Sequence, residues 1–492
     1  MDNREIIRRK YYAIPVTLQS PHSTSNSISD STDADVLRNA NGKLFLPGSS
    51  IAGAWRDYLK QKKDEDGIMG YSKDKEGKMS PISISDLYFI HGAKVAVRDG
   101  VKLGEEKDVI SKFDFEIVET GASGILFFDY VERSGDKWKY DETILDIIHA
   151  MERGDIRFGA NKTRGMGRIT FKKVYEVEFT KNNVDDWISF LSKRQVSLEN
   201  IEEKYKEGKT PEVSLFEFVE QYVADTYQTK ICQQEKNQKQ NGIEDSQIRE
   251  PMRSEPRYVT CQVALKLHGG SSIRRYSTKP MTADYEHITT NDAPVIPGSS
   301  WNGAIRSDVR RILNDLGCKD TKHWIDYWFG CIDDDAHQSR IIIGESILEY
   351  AGDLPIVRNK INPFSGGTFA GGLYTEIAYF KGKTVLEIKV RKDDPHHEAL
   401  LALLDIVIQD IIEGYLPVGG LVSVGRGLWE ADTTRHEGDF IRYSEAISKE
   451  KNREALRKFL QDSHGQMAKE ASERQMVEQD KTTVIEENGD DD

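Results

Sequence analysis

Residues 47–56 read PGSSIAGAWR, and residues 297–306 read PGSSWNGAIR. Pro-Gly-Ser-Ser, two residues, Gly, two residues and Arg thus recur at a separation of 250 residues. A second motif lies downstream of each. Gly159, Gly165 and Gly167 have the spacing of Gly419, Gly425 and Gly427, at a separation of 260. Two unlike motifs repeated in one order define two copies of one domain. Between the motifs, Gly70 pairs with Gly330, Val97-Arg98 with Val357-Arg358, and Glu116-Ile117 with Glu376-Ile377, all at 260. The ten extra residues of the second copy therefore fall between Arg306 and Gly330, as a loop or helix extension would. A period this long excludes a solenoid.

Each copy opens on a β-rich stretch, KYYAIPVTLQ (10–19) or YVTCQVALKLH (258–268). A long polar segment leads to a short strand that Pro-Gly-Ser-Ser breaks. A helix follows, with Ser50 or Ser300 expected as its N-cap. SISDLYF (83–89) and RIIIGESIL (340–348) read as strands, and residues 98–118 and 358–378 as a long hairpin. Strands ILFFDYV (125–131) and VLEIKV (385–390) come next. Amphipathic helices ETILDIIHAMERG (142–154) and ALLALLDIVIQDIIEG (399–414) then lead into the glycine loop and a last strand. The order β-α-β, hairpin, β-α-β predicts an α+β sandwich of the ferredoxin-like kind, with helices on one face of an antiparallel sheet. The domains expected are 1–182 and 258–432. Residues 183–257 form a spacer with helical pieces and a polar linker, QQEKNQKQNGIEDSQ (233–247), expected to be disordered. Residues 433–492 hold one amphipathic helix and a flexible acidic tail, ENGDDD.

Composition narrows the function classes. Among 492 residues no apolar run is long enough to span a membrane, and MDNREIIRRKYY has no signal-peptide core. Cys232, Cys261, Cys318 and Cys331 form no Cys-x-x-Cys pair, which argues against zinc or a disulfide scaffold and suits a reducing cytosol. The net charge is -14, yet Arg157, Lys162, Arg164, Arg168, Lys172 and Lys173 lie together with no acid among them. A local basic strip on an acidic chain suits a polyanion on one face and protein partners on another.

Three features carry candidate chemistry. At the Pro-Gly-Ser-Ser helix start, free N–H groups, the positive helix end and the hydroxyls of Ser49, Ser50, Ser299 and Ser300 suit a phosphate. Arg56 and Arg306, two turns in, are placed to reach back to a sugar-phosphate backbone. The glycine loops GANKTRGMGR (159–168) and GGLVSVGRG (419–427) allow close backbone approach, with charge from Lys162, Arg164, Arg168 and Arg426. Neither is a Walker A loop or a Rossmann fingerprint, and the alternative is a tight turn without a ligand. In the polar segments, Asp33 lies 14 residues before Pro47, and Asp284 lies 13 before Pro297. Asp30 and Asp35 compete with Asp33. Such a carboxylate can bind a divalent ion or take part in proton transfer.

The strand–Pro-Gly-Ser-Ser–x-x-Gly–x-x-Arg start, the segments MGYSKDKEG (69–77) and FGCIDDDAH (329–337), the Val-Arg hairpin ending in Glu-Ile, and the glycine loop together resemble the RAMP superfamily. More narrowly, they resemble backbone subunits of type III CRISPR effector complexes, and the two-copy chain resembles the fused subunit of type III-D systems. The resemblance covers roughly 10–180 and 258–432. It implies two tandem modified ferredoxin-like (RRM-like) domains, each with a thumb hairpin near 99–113 or 359–373. It also implies that each domain binds guide RNA and cuts paired target RNA with a loop aspartate. That aspartate falls on Asp33, in DADVL, and on Asp284, in DYEHI. Guide-RNA contacts fall on Ser49, Ser50, Arg56, Lys162, Arg164, Gly165, Gly167 and Arg168 in the first copy. In the second they fall on His268, Gly269, Ser299, Ser300, Arg306, Gly425, Arg426 and Gly427. His268-Gly269-Gly270 resembles the family's His-x-Gly-Gly, where the first copy has Ser20-Pro21-His22. The motif by itself does not decide whether both copies cut. The implied cofactor is a divalent metal, Mg2+. The implied partners are guide RNA, target RNA, neighbouring backbone subunits and the large polymerase-like subunit, in the cytoplasm. Two alternatives stand beside this reading: a non-catalytic scaffold, and a guide-processing endonuclease using His22 or His268.

Overall fold

The computed structural model describes residues 4–25, 32–61, 65–73, 76–103, 109–136, 139–194, 215–227, 256–276, 283–331, 336–434 and 450–462. Cys232, Asp30, the polar linker and the acidic tail lie outside the described residues. The chain divides into two compact units, Met1–Pro256 and Arg257–Asp492.

In the first unit, the strand Ile6–Leu18 lies at the centre of the sheet. Ser123–Arg133 pairs with it antiparallel on one side, and Tyr175–Thr180 with Ile169–Thr170 on the other. Ile82–Ile84 and Leu87–His91 extend the sheet beyond Ser123–Arg133. Taking the four principal strands in chain order, their spatial order is 4-1-3-2. The second unit repeats it: Leu428–Ala431, Tyr258–His268, Lys383–Arg391 and Ile341–Ile343 lie side by side, all antiparallel. Both units are ferredoxin-like.

Helices Gly48–Gln61 and Asp141–Arg153 cover one face of the first sheet. Trp55, Tyr58, Leu59, Ile144, Ile147 and Met151 pack on Tyr12, Ile14, Leu126 and Phe128. The second unit packs Trp301, Ile305 and Val309 of Gly298–Asp315, with Leu400, Leu404 and Val407 of His397–Ile412, on Val263, Leu265, Leu386 and Ile388. The ten-residue length difference lengthens two helices. Gly298–Asp315 has 18 residues against 14 in Gly48–Gln61, and Thr321–Phe329 has 9 against 4 in Glu65–Ile68.

The expectation of helices on one face holds for the second sheet and not for the first. Helices Val184–Arg194 and Leu215–Tyr227, read from sequence as part of a spacer, cover the first sheet's other face. Phe190, Val219 and Val223 pack there on Tyr11, Ala13, Ile125 and Phe179. The physical reason lies in the strands. YYAIPV is apolar at successive positions and needs cover on both sides. The second unit's first strand alternates, and its other face carries Gln262 bonded to Glu387 (3.2 Å) and Lys266 paired with Glu430 (2.9 Å). That surface is stable in water. The helix over 450–462 also joins the second core, through Leu456 and Phe459.

A two-stranded hairpin leaves each unit after the second principal strand: Val95–Leu103 with Val109–Val118, and Gly352–Ile361 with Thr368–Phe380. The far parts of these hairpins are exposed despite apolar residues such as Val101, Ile110, Val357, Leu373 and Phe364. Among the described residues, no helix is long and apolar enough to cross a membrane.

Candidate nucleic-acid interface

The repeated features line the second strand of each hairpin and its inner end. In the first unit the loop after the first strand runs along the hairpin strand Val109–Val118. Val118 bridges His22, Glu116 N–H donates to the Ala34 carbonyl (2.9 Å), and Val36 N–H donates to Glu116 Oε2 (3.0 Å). Asp33 is stitched to the same strand: Asp114 N–H donates to Asp33 Oδ2 and Asp33 N–H to Asp114 Oδ1, both at 3.0 Å. In the second unit Thr375 N–H donates to Asp284 Oδ2 (2.8 Å), and Tyr285 pairs with Glu376. Both aspartates are exposed, and both face the second hairpin strand just before the matched glutamate. Oδ1 of each has no partner among the described residues. The competitor Asp35 is buried and accepts from the Thr32 N–H (3.0 Å) and hydroxyl (2.7 Å), a local turn.

The glutamates themselves are structural. Glu116 accepts a two-pronged pair from Arg38 (2.9 and 3.0 Å). Glu376 is fully buried and holds Arg274 and Arg358, each at 2.8 Å. Sequence reading matched the two positions and missed their role, because their arginine partners carry no local signature.

The glycine loops follow one backbone path. Phe158 N–H donates to Gly167 O (2.9 Å) and Val418 N–H to Gly427 O (2.8 Å). Each loop anchors to the segment after the first strand, through Ala160 to Ser23 (2.7 Å) and Gly420 to Ser272 (2.9 Å). Gly167 and Gly427 both have φ +74°, and a Cβ there would sit 1.8 or 2.1 Å from the carbonyl oxygen of Phe158 or Val418. Only glycine fits. The tips differ. Lys162 and Arg164 in the first loop become Val422 and Val424 in the second, and both valines are exposed. Arg426 lies over the Phe380 ring (4.5 Å) and bridges Gly270. Gly269 accepts from Lys381 N–H (3.3 Å), so His268, Gly269 and Gly425 to Gly427 gather at one end of the hairpin strand. Asp284, beside Thr375, lies on the order of 15–17 Å along it.

The basic strip is thinner than its sequence. Arg157 is buried and braces the loop through Gly165 O (2.6 Å), and Lys173 pairs with Glu220 (3.0 Å). Lys162, Arg164, Arg168 and Lys172 retain at least partial exposure.

At the helix starts, the expected N-caps move. The helices begin at Gly48 and Gly298, with Pro297 in the cap position, so both serine pairs lie in the first turn. The reason is the extended Pro backbone (φ -60°, ψ 145°), which already fixes the entry. Gly48 is required: a Cβ would meet Ile84 O at 2.6 Å. Gly48 N–H donates to Asp86 Oδ1 (2.8 Å), which puts a carboxylate at the first helix end. Ser49 and Ser299 are exposed. Arg56 donates to the Met69 and Gly70 carbonyls (2.9 and 3.2 Å), and Arg306 to Asp326 (2.8 Å). In both copies this arginine ties its helix to the next one.

His22 is fully buried with Nε2 on Thr24 Oγ1 (2.8 Å), and burial pushes its pKa down to about 4. His268 is exposed. Among the described residues no three His, Cys, Asp or Glu side chains group as a metal site, and Cys261 and Cys318 are buried free thiols.

A family model of the RAMP superfamily matches residues 25–170 and 267–430, well over half of the chain. No curated protein matches it. One matched stretch lies in each ferredoxin-like unit, and the chain belongs to the RAMP superfamily, carrying its domain twice.

Proposed function

We propose that this chain is a guide-RNA-binding backbone subunit of a type III, III-D-like CRISPR effector complex, and that each unit cuts guide-paired target RNA once. Family membership carries the coarser part: RAMP proteins are RNA-binding, CRISPR-associated subunits. One observation supports the finer part. Two loops of different sequence bring Asp33 and Asp284, both exposed, against the second strand of a protruding hairpin at neighbouring rather than identical positions, each with one carboxylate oxygen held by a backbone N–H.

In this reading each hairpin enters the guide–target duplex, and its exposed apolar side chains displace a base pair. The target phosphate then lies against the aspartate. The free Oδ1 takes the proton of the adjacent 2'-hydroxyl, or orients that hydroxyl for in-line attack; the 2'-oxygen bonds the phosphorus as the P–O5' bond breaks, leaving a 2',3'-cyclic phosphate and a 5'-hydroxyl that takes up a proton from water. Carboxylate oxygens are the donor type that Mg2+ takes, and one or two of them plus substrate phosphates suffice to hold it. Asp33 and Asp284 would hold the metal, which would supply charge stabilisation at the phosphate. The glycine loops and the first-turn serines bind guide backbone. Lys162, Arg164 and Arg168 supply charge in the first unit, and His268 and Arg426 in the second. Sequence specificity resides in base pairing. The other partners are the neighbouring backbone subunits and the large subunit, in the cytoplasm. The burial of His22 weighs against guide processing by that histidine.

The test is cleavage of labelled target RNA by the assembled complex with Mg2+, comparing wild type, Asp33→Ala, Asp284→Ala and the double variant. Each single variant is expected to remove one distinct product, and the double both. Unchanged products with intact target binding would make the chain a scaffold.

A further inference from the structure

One position on the hairpin strand differs in kind between the copies. Position 114 is Asp, and its counterpart 260 residues on is Tyr374. An exposed aspartate ordinarily samples several rotamers, and a group that must meet a reacting atom loses rate when its placement loosens. Asp33 is fixed by a closed pair in which each residue's N–H donates to the other's carboxylate, so turning either side chain breaks a bond. Tyr374 cannot take part in such a pair. Its ring stands edge-on to Tyr285, the residue beside Asp284, with centroids 5.8 Å apart at 89°. The Arg274 guanidinium lies over both rings (4.8 and 5.7 Å) while paired with Glu376. The aromatic pair thus fixes the backbone that carries Asp284.

We propose that this hairpin position, Asp114 in the first unit and Tyr374 in the second, is a positioning residue that sets the cutting aspartate of its own unit. It acts by a reciprocal hydrogen bond in one case and by ring packing on the neighbouring residue in the other. The proposal rests on Asp33 and Asp284 as the cutting residues. Two different solutions at one position also make the two sites separately tunable.

The test uses the assembled complex and target RNA labelled so that the two products separate, reading rate and target affinity together. Asp114→Ala should slow the first-unit product about 10–100-fold, leaving target affinity and the second product unchanged. Asp114→Asn keeps an oxygen acceptor for Asp33 N–H and should restore the rate to within about threefold of wild type. Tyr374→Ala should slow only the second product, and Tyr374→Phe, which keeps the ring, should restore most of it. A wild-type rate in both alanine variants, alongside a dead Asp33→Ala, overturns the positioning role and leaves the cutting reading intact. An Asp114→Asn rate as low as that of Asp114→Ala overturns it too, since charge rather than placement would then matter. If Asp33→Ala and Asp284→Ala still cut, the cutting reading falls and the positioning role with it.

Discussion

Glu376 shows how much one side chain settles. It is fully buried, and two arginines from segments 102 and 18 residues away converge on it. Removing one partner of a buried ion pair strands the others, so Glu376→Ala should destabilise the second unit by roughly 2–4 kcal/mol. Chemical denaturation of the variant would read this, and a change under about 1 kcal/mol would show that the pair is idle. The same scale decides between neighbouring acids. The family resemblance put the cutting aspartate on Asp33, with Asp35 as a competitor. Asp35 is buried and engaged in its own turn, whereas Asp33 is exposed and faces the hairpin. The bond partner of Asp33 was not legible, because Asp114 lies 81 residues away and nothing local marks it.

At the scale of the element, the glycine loops separate backbone from side chain. Asn161 and Leu421 occupy the left-handed region at φ 54° and 56°, and the turns match bond for bond. Asparagine tolerates that conformation, and leucine does so at a cost of about 1 kcal/mol. The shared spacing of three glycines made this path readable from sequence, since each glycine answers a steric demand. The charge difference was readable too: Lys162 and Arg164 against Val422 and Val424. If the first loop binds single-stranded guide backbone, Lys162→Ala with Arg164→Ala should lower the slope of log affinity against log salt by about 1.4. An unchanged slope in a guide-RNA titration would remove this loop from the phosphate contacts. The first strands teach the opposite lesson. Both read as β-rich, yet only the unbroken apolar run of YYAIPV demanded the second helical layer that Val184–Arg194 and Leu215–Tyr227 provide.

At the scale of the whole molecule, each unit buries one neutral histidine among the described residues, His22 or His287. Burial lowers both pKa values from 6.5 to about 4. His287 accepts from Ile273 N–H at Nδ1 (2.9 Å) and donates from Nε2 to Val295 O (3.1 Å), a geometry made for the neutral ring. With the folded pKa below the unfolded one, the unfolded chain binds the proton first. Stability is therefore full above pH 6.5 and falls as pH drops toward 4. Each unit should lose about 2 kcal/mol between neutral pH and pH 5, before most carboxylates titrate. Denaturation midpoints that stay flat from pH 7 to 5 would contradict this.

The sequence by itself determined the duplication, the strand and helix order of each copy, the hairpins, the glycine turns and the spacing of the two aspartates. All of these are periodicities or steric demands written over a few residues, or repeats that one copy verifies in the other. Tertiary structure alone decided that helices after the first domain complete its core. It also decided that Arg157, Lys173, Arg56 and Arg306 are engaged by the protein itself, and that Asp33 and Asp284 each meet a hairpin strand 81 or 91 residues away. Those outcomes depend on which surfaces the packed sheets bring together, and a local pattern carries no record of its distant partner.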